Sequence, residues 1–301
     1  MSDLLIIFIA GIGAGMINAV VGSGTLITFP ALLAVGYPPI TANISNNLGL
    51  IPGAVSGTWG YRRELVGQGT RARRLAPFSF VGALIGALAL LVLPADSFTV
   101  IVPVLIVIAL VLVVAQPRLQ RHLASQAVPP TAGAGSVRAP AGQDLHRRTN
   151  PSGSVRIIGP GEESTTRDQV APGADSDDGI SPARWLALMV GVFLAGIYGG
   201  YFGAAQGILL IAIIASLLPV SMQRANALKN LLSVIVNAVA GVVFCLVAWD
   251  QIDWFAVLLI ALGSTIGGFL GSHYGRRLPP AALRAIIVVV GLLAIAKLVL
   301  G

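Results

Sequence analysis

Long apolar stretches, interrupted by glycines and a few polar residues, run through most of this chain. No charged residue occurs between Asp3 and Arg62. Many of the stretches approach the helix length that about 30 Å of hydrocarbon requires. The pattern predicts ten segments, five on each side of a polar stretch, at 4–21, 25–37, 41–61, 75–93, 97–115, 184–202, 205–219, 225–249, 254–274 and 281–300. The predicted fold class is therefore all-α, a polytopic integral membrane protein.

Glycine and asparagine positions of the first half recur in the same order in the second half. The first copy has Gly15, Gly22-Ser23-Gly24, Pro30, Asn43 and Asn46-Asn47, and the second has Gly196, Gly203, Gly207, Pro219, Asn226 and Lys229-Asn230. Paired, glycine-interrupted apolar segments in two halves are typical of secondary transporters. The sequence predicts a first transmembrane repeat at 1–115, a disordered cytoplasmic linker at 116–182 and a second transmembrane repeat at 183–301.

Composition agrees with a chain that lies mostly in lipid. Hydrophobic residues make up 55% of the chain and charged residues 10%, and the mean hydropathy is +0.86. A soluble domain would not expose such a surface. The pI of about 10.3 reflects arginines clustered at segment ends, so we expect no nucleic-acid partner. With a single cysteine, a disulfide framework is excluded.

The charges at segment ends predict the topology. Arginines mark the loop at 62–74 and the stretch at 276–284 as cytoplasmic, whereas acid-only turns follow Asp96 and Asp250. The number of membrane crossings between these charged loops is odd in each half. An odd number predicts that the two halves are inverted repeats. Segments 25–37 and 205–219 are short, so re-entry stays open beside full crossing. We expect a prokaryotic inner (plasma) membrane, a cytoplasmic linker and both termini outside.

Two breaks in the apolar pattern are candidates for a binding site. Gly22–Thr25 and Gly203–Gly207 each separate two apolar segments. Irregular backbone at membrane depth is tolerated where it is buried in protein or lines a cavity. The helix that follows each break would point its positive dipole end and free backbone donors at that cavity, as in many anion sites. Taken singly, either break could instead serve close helix packing.

A polar stripe in the third segment of the second copy is the sharper signal. Asn226, Asn230, Ser233 and Asn237 share one helix face, and Lys229 lies beside them. A charge well inside a predicted span is a functional-site hypothesis by default. The alternatives for Lys229 are a side chain that extends to the interface or one that donates to backbone carbonyls as a structural contact.

We therefore predict a substrate-binding set that draws on both copies. It comprises Ser23, Gly24, Thr25, Asn43, Asn46, Asn47, Gln206, Gly207, Asn226, Lys229, Asn230 and Asn237. The three histidines have no metal-ligand spacing, and no catalytic triad, phosphate-binding loop or paired carboxylates are evident. We expect no enzyme activity, no cofactor and no metal.

At these same residues the chain resembles the sulfite exporter TauE/SafE family, also described as the TSUP transporters. The resemblance rests on 15–24 with Pro30, on 42–62, on 196–207 and on 224–230 with Asn237. It implies a permease for small sulfur-containing anions such as sulfite or organosulfonates. The second break is less glycine-rich than is usual in the family, and Lys229 with its neighbouring asparagines replaces a common pattern of small hydroxyl residues.

The predicted function is a secondary transporter that binds a small anion between the repeats and alternates access by rocking one half against the other. The alternatives are a non-transporting membrane anchor or assembly factor that recruits a partner through its linker, and a channel. Whether the protein is a transporter, an anchor or a channel, we expect it to be in contact with membrane lipid. Proton coupling through Lys229, homo-oligomer assembly and the direction of transport stay open.

Overall fold

The protein is a bundle of helices in the computed structural model, which describes residues 2–126 and 180–274 and the single positions 285, 288, 289 and 292. The helices are α1 Ser2–Val20, α2 Thr25–Val35, α3 Pro39–Gly60, α4 Gly69–Val92, α5 Ala95–Gln126, α6 Pro182–Tyr201, α7 Gln206–Leu217, α8 Met222–Val247 and α9 Trp254–Tyr274, with a 3-10 turn at Trp249–Gln251.

Nine predicted segments correspond to these helices, and the tenth, 281–300, falls largely outside the described residues. Two helix boundaries differ from the prediction. Helix α4 begins at Gly69 rather than at 75, and α5 continues to Gln126 rather than ending at 115. The predicted linker at 116–182 therefore begins in helix, and 127–179 lie outside the described residues. Hydropathy marks the apolar layer, whereas arginine, leucine and glutamine continue a helix beyond it.

Six helices of the described part are long and apolar enough to cross a membrane by length and composition: α1, α4, the 100–117 part of α5, α6, α8 and α9. Helix α3 has 22 residues, which is long enough, but its asparagines and glycines lower its hydropathy, and it is not among these six. Helices α2 and α7 have 11 and 12 residues. At 1.5 Å per residue each is about 17 Å long, so neither crosses about 30 Å of hydrocarbon by itself.

The two ends of the bundle are chemically distinct. At one end, which we name the arginine end, the loop at 61–68 meets the start of α8, where the Gln68 side chain donates to the carbonyl of Arg224 (3.1 Å). At the other end, the aspartate end, the backbone N–H of Asp253 donates to the hydroxyl of Ser45 near the start of α3 (3.0 Å). Helix α3 therefore runs toward the arginine end and α8 runs away from it.

Contacts along the helices extend these directions to the rest of the bundle. Along α1 and α9 the contacting positions rise together, from Gly11 beside Ile260 to Met16 beside Gly271, so the two helices are parallel. By the same kind of contact α3 is parallel to α9, and α6 and α8 are parallel to α4. Equivalent helices of the two sequence copies thus run in opposite directions through the bundle. Their orientation in a membrane stays a prediction.

Candidate functional site

The two breaks in the apolar pattern meet in the middle of the fold. The backbone N–H of Gly207 donates to the carbonyl of Gly22 (3.1 Å). Each residue must be glycine, because a Cβ built on either one would overlap the backbone of the other. Gly22 also has a φ of 84°, in the region that favours glycine. Sequence positions far apart in the chain therefore form one junction.

Local turns use most of the backbone donors at this junction. The N–H of Leu26 donates to the Ser23 carbonyl (3.2 Å), and that of Gln206 donates to the Gly203 carbonyl (3.3 Å). Since Gly207 is bonded to Gly22, the expectation that both helix starts present free backbone donors is wrong for Gly207. Turns of this kind satisfy donors that an isolated helix start would leave exposed. An incoming group would depend mainly on side chains.

The polar stripe of α8 reaches the carboxyl end of α1. Asn226 and Asn230 donate from their side-chain amides to the carbonyl of Ala19 (3.2 and 3.3 Å). The ammonium of Lys229 donates to the carbonyl of Asn18 (3.0 Å). These carbonyls have no partner within their own helix, so the three side chains cap the negative end of the α1 dipole.

The first copy makes a matching contact with the second. Asn43 of α3 donates to the carbonyl of Tyr201, the last residue of α6 (3.0 Å). Asn46 instead turns toward the start of α2, where it hydrogen-bonds Thr25 (3.3 Å) and Thr28. Asn43 and Asn226 are equivalent in the two copies, and each caps the first helix of the other copy.

Lys229 is the charged side chain at the junction. It is 1% exposed, so it does not extend to the interface as one alternative required. Its contact with a carbonyl agrees with the other alternative, the structural contact. That contact leaves two of its three N–H donors for other groups, and no carboxylate of the described residues pairs with it. The Lys229 stem also passes close to Gly207, which puts the charge beside both breaks.

Several buried polar atoms near the junction have no hydrogen-bond partner within the described part of the chain. They are Oγ of Ser23, Nε2 of Gln206 and Oδ1 of Asn226. Ser23 is 0% exposed and Gln206 3%. A buried polar group without a partner costs free energy, and in a native protein it calls for an explanation such as a ligand or water. Ser23 and Gln206 can both donate to an oxyanion.

Two members of the predicted set lie outside this cluster. Asn47 has an unpartnered Oδ1 and lies near Gly241, where α3 passes α8. Asn237 is one turn before Gly241 on α8 and is half-buried. The other ten predicted residues lie at the junction or bond to it, with Gly24 starting the turn into α2.

Sequence reasoning missed three contributors. Thr28 is buried and bonded to Asn46. The sequence feature that could have identified it is a second hydroxyl residue one helical turn after Thr25. Asn18 contributes a backbone carbonyl, for which no side-chain pattern gives a signal. Tyr201 is 8% exposed, packs with Phe98 and contributes the backbone carbonyl that Asn43 binds. The described residues contain no cluster of His, Cys, Asp or Glu that could hold a metal ion.

An apolar helical bundle with two helix breaks that meet at a buried lysine defines a multi-pass membrane protein of the transporter class. The chain belongs to the TauE/SafE family: the family model described as Sulfite exporter TauE/SafE matches residues 7–298. The matched range includes both glycine breaks of the junction.

Relatives support this class over nearly the whole chain. A probable membrane transporter protein YfcA of Escherichia coli (strain K12) is 24% identical over 294 residues, which cover 97% of this chain and 88% of the relative. A probable membrane transporter protein of Haemophilus influenzae is 24% identical over 298 residues, covering 99% and 95%. Another, ORF9 of Sinorhizobium sp, is 24% identical over 289 residues, covering 96% and 89%. No solved structure matches the chain significantly.

Proposed function

We propose that the chain is a secondary transporter that moves small sulfur-containing anions, such as sulfite or organosulfonates, through a site at the junction of the two breaks. The observation that carries this proposal is Lys229, which is 1% exposed and lies beside Gly22 and Gly207 with a carbonyl as its partner. A buried cation without a carboxylate partner is stabilised by an anion.

Side chains at the two breaks, in addition to Lys229, suit an oxyanion. The Ser23 hydroxyl and the Gln206 amide are buried donors without a partner in the described residues. Both adjoin helix starts, whose dipoles favour negative charge. Three donors of different shape can bind a small tetrahedral or pyramidal group from several sides. Nothing in the described junction adds a negative side chain that would repel it.

The position of the proposed site between two sets of helices supports secondary transport. Bonds from Asn43, Asn226, Lys229 and Asn230 all join one sequence copy to the other. A substrate bound at such a boundary can be exposed to either side as the flanking helices move. Lys229 is also the charged group available for proton coupling at this depth, since Asp253 and Glu64 lie at the ends of the bundle.

We further propose that the arginine end faces the cytoplasm, in the plasma membrane of a prokaryotic cell. Five arginines in the 62–74 stretch support this orientation through the positive-inside rule. A cysteine at Gln251 should react with an impermeant thiol reagent added outside, and a cysteine at Gly69 should react only after permeabilisation. A Cys245→Ala background removes the native thiol. The reverse labelling pattern would contradict the proposed orientation.

Flux into proteoliposomes tests the function itself. Purified protein should move sulfite or a small sulfonate such as sulfoacetate, and Lys229→Met should reduce that flux to the level of protein-free liposomes. An Asn237→Ala variant is the matched control, because Asn237 lies on the same helix outside the junction. Absence of wild-type flux for every sulfur anion tested would refute the proposed substrate class.

A further inference from the structure

Two pairs of helices from different sequence copies pack with their backbones in contact. In the pair α1 and α9, a Cβ added at Gly15, Gly263 or Gly267 would overlap the partner helix's backbone. In the pair α4 and α6 the same holds for Gly86 and Gly200. Small residues at such spacing let helix backbones touch in a membrane. Each pair joins one helix of the first copy to one of the second.

Two further contacts enlarge each pair into a bundle. Helix α3 lies against α9 with backbone contact, where Gly53 adjoins Ser264 and Gly268, and the Ser264 hydroxyl donates to the Gly49 carbonyl (2.8 Å). Helix α8 lies against α4, where the Ser79 hydroxyl donates to the Leu232 carbonyl (3.4 Å). Bundle one is α1, α3 and α9, with α2 beside it, and bundle two is α4, α6 and α8, with α7 beside it.

The apolar core supports the same division. One of its two clusters is made only of residues from α4, α6, α7 and α8. The other contains α1, α2, α3, α5 and α9 together with the aspartate-end parts of α4, α6 and α8 and the start of α7. Bundle two therefore has a core of its own toward the arginine end, and the bundles share apolar contact toward the aspartate end.

Away from the Gly22–Gly207 junction, where backbone touches backbone, the two bundles meet through side chains. Where α3 passes α8, Gly241 faces the side chains of Leu48 and Ile51 rather than backbone. The asparagine caps also cross this boundary, since Asn43 binds α6 from α3, and Asn226 and Asn230 bind α1 from α8. Each amide thereby uses one of its two N–H donors on a carbonyl of the opposite bundle, which fixes the orientation of the side chain.

We propose that the moving bodies of this transporter are bundle one and bundle two rather than the two sequence halves, with Asn43, Asn226 and Asn230 as positioning residues that join them. This inference rests on the proposed function, because moving bodies of this kind have a role only if the protein transports a substrate. The caps hold the carboxyl ends of α1 and α6 at the junction while the bundles tilt about it. Substrate contact falls instead to Ser23, Gln206 and Lys229.

Distances between spin labels distinguish the two kinds of moving body. Trp59 and Phe255 belong to the same bundle but to different sequence halves, whereas Phe255 and Leu186 belong to the same half but to different bundles. All three side chains are exposed. Cysteine pairs at these positions, in a Cys245→Ala background in lipid nanodiscs, are measured by double electron–electron resonance with and without sulfite.

We expect one narrow distance for the 59/255 pair under all conditions. The 186/255 pair should give a broad or two-peaked distribution whose weights change with sulfite. A change confined to the 59/255 pair would show that the sequence halves move, and would overturn the proposal. Identical, invariant distributions for both pairs would overturn it too. The distance distributions measured without sulfite already show which bodies move. If sulfite then changes neither distribution, sulfite is refuted as the substrate, but the assignment of the moving bodies is not.

Asparagine variants test the positioning role. Asn43→Ala should broaden the 186/255 distribution and reduce sulfite turnover by about tenfold, with the sulfite dissociation constant changed by less than about threefold. Asn43→Ser, which keeps a donor, should recover part of the turnover. A large loss of sulfite affinity in Asn43→Ala, with unchanged distance distributions, would make Asn43 a direct ligand and overturn its positioning role.

Discussion

Asn46 in the first copy and Lys229 in the second occupy equivalent positions and have different chemistry. Asn46 is bonded to Thr25 and Thr28 of its own copy. Lys229 reaches across to the Asn18 carbonyl of the other copy. Equivalent positions of the two sequence patterns therefore make different contacts, a structural contact at Asn46 and a buried charge at Lys229.

Lys229→Asn, which makes the second copy like the first, should have the largest effect. Loss of the buried charge at the junction removes the main attraction for an anion, so sulfite flux should fall by about a hundredfold or more. Flux in proteoliposomes at matched protein content is the measurement. The folded fraction, from size-exclusion chromatography in detergent, should stay near that of the wild type because one carbonyl contact is lost.

The double variant Asn46→Lys with Lys229→Asn sharpens this comparison. It moves the charge to the first copy, where Thr25 and Thr28 face the side chain. Flux should stay near background, because the ammonium would then bond to hydroxyls beside α2 rather than face Ser23 and Gln206. Recovery of flux in the double variant would mean that the two equivalent positions are interchangeable.

Removal of the unpartnered donors should have the next largest effect. Ser23→Ala and Gln206→Ala each delete a donor that bonds to no described protein group. Each should raise the sulfite KM by about tenfold, the usual effect of a hydrogen bond to a charged group. Thermal stability without sulfite should not fall. A drop in melting temperature with an unchanged sulfite KM would mean that these side chains stabilise the fold and do not bind sulfite.

Thr28→Val should change stability more than transport. It removes the hydroxyl that bonds to Asn46 in the first copy, and leaves that amide partly unsatisfied at a cost of about 1–3 kcal/mol. A lower melting temperature with sulfite KM within about twofold of wild type is expected. The matched variant Thr265→Val alters a hydroxyl of α9 that is exposed and bonded within its own helix. If both variants lower the melting temperature equally, the bond between Thr28 and Asn46 contributes no more to stability than an exposed hydroxyl does.

Replacement of residues 128–174 by a short Gly/Ser linker should have the smallest effect. The sequence there has no core-forming pattern, and the packing of α1 on α9 and of α4 on α6 joins the two copies without it. Monodispersity and sulfite flux should match those of the full chain. Loss of both would mean that the stretch contributes to assembly.

The apolar pattern by itself determined the type and approximate position of the nine α-helices that the structure describes, because lipid requires apolar faces and internally bonded backbone. The repeated Gly22 and Gly207 motifs located both breaks. Hydropathy could not set the ends of α4 and α5, since helix continues where the apolar layer stops.

Tertiary structure alone decided what each polar side chain touches. The sequence grouped Asn43, Asn226 and Lys229 as ligands because a polar stripe in lipid must face protein or water, but it could not choose between them. In the fold the asparagines bond to helix ends of the opposite copy, while Ser23 and Gln206 have unpartnered atoms. Those contacts join residues separated by well over a hundred positions, and only packing of one copy against the other brings them within hydrogen-bond distance.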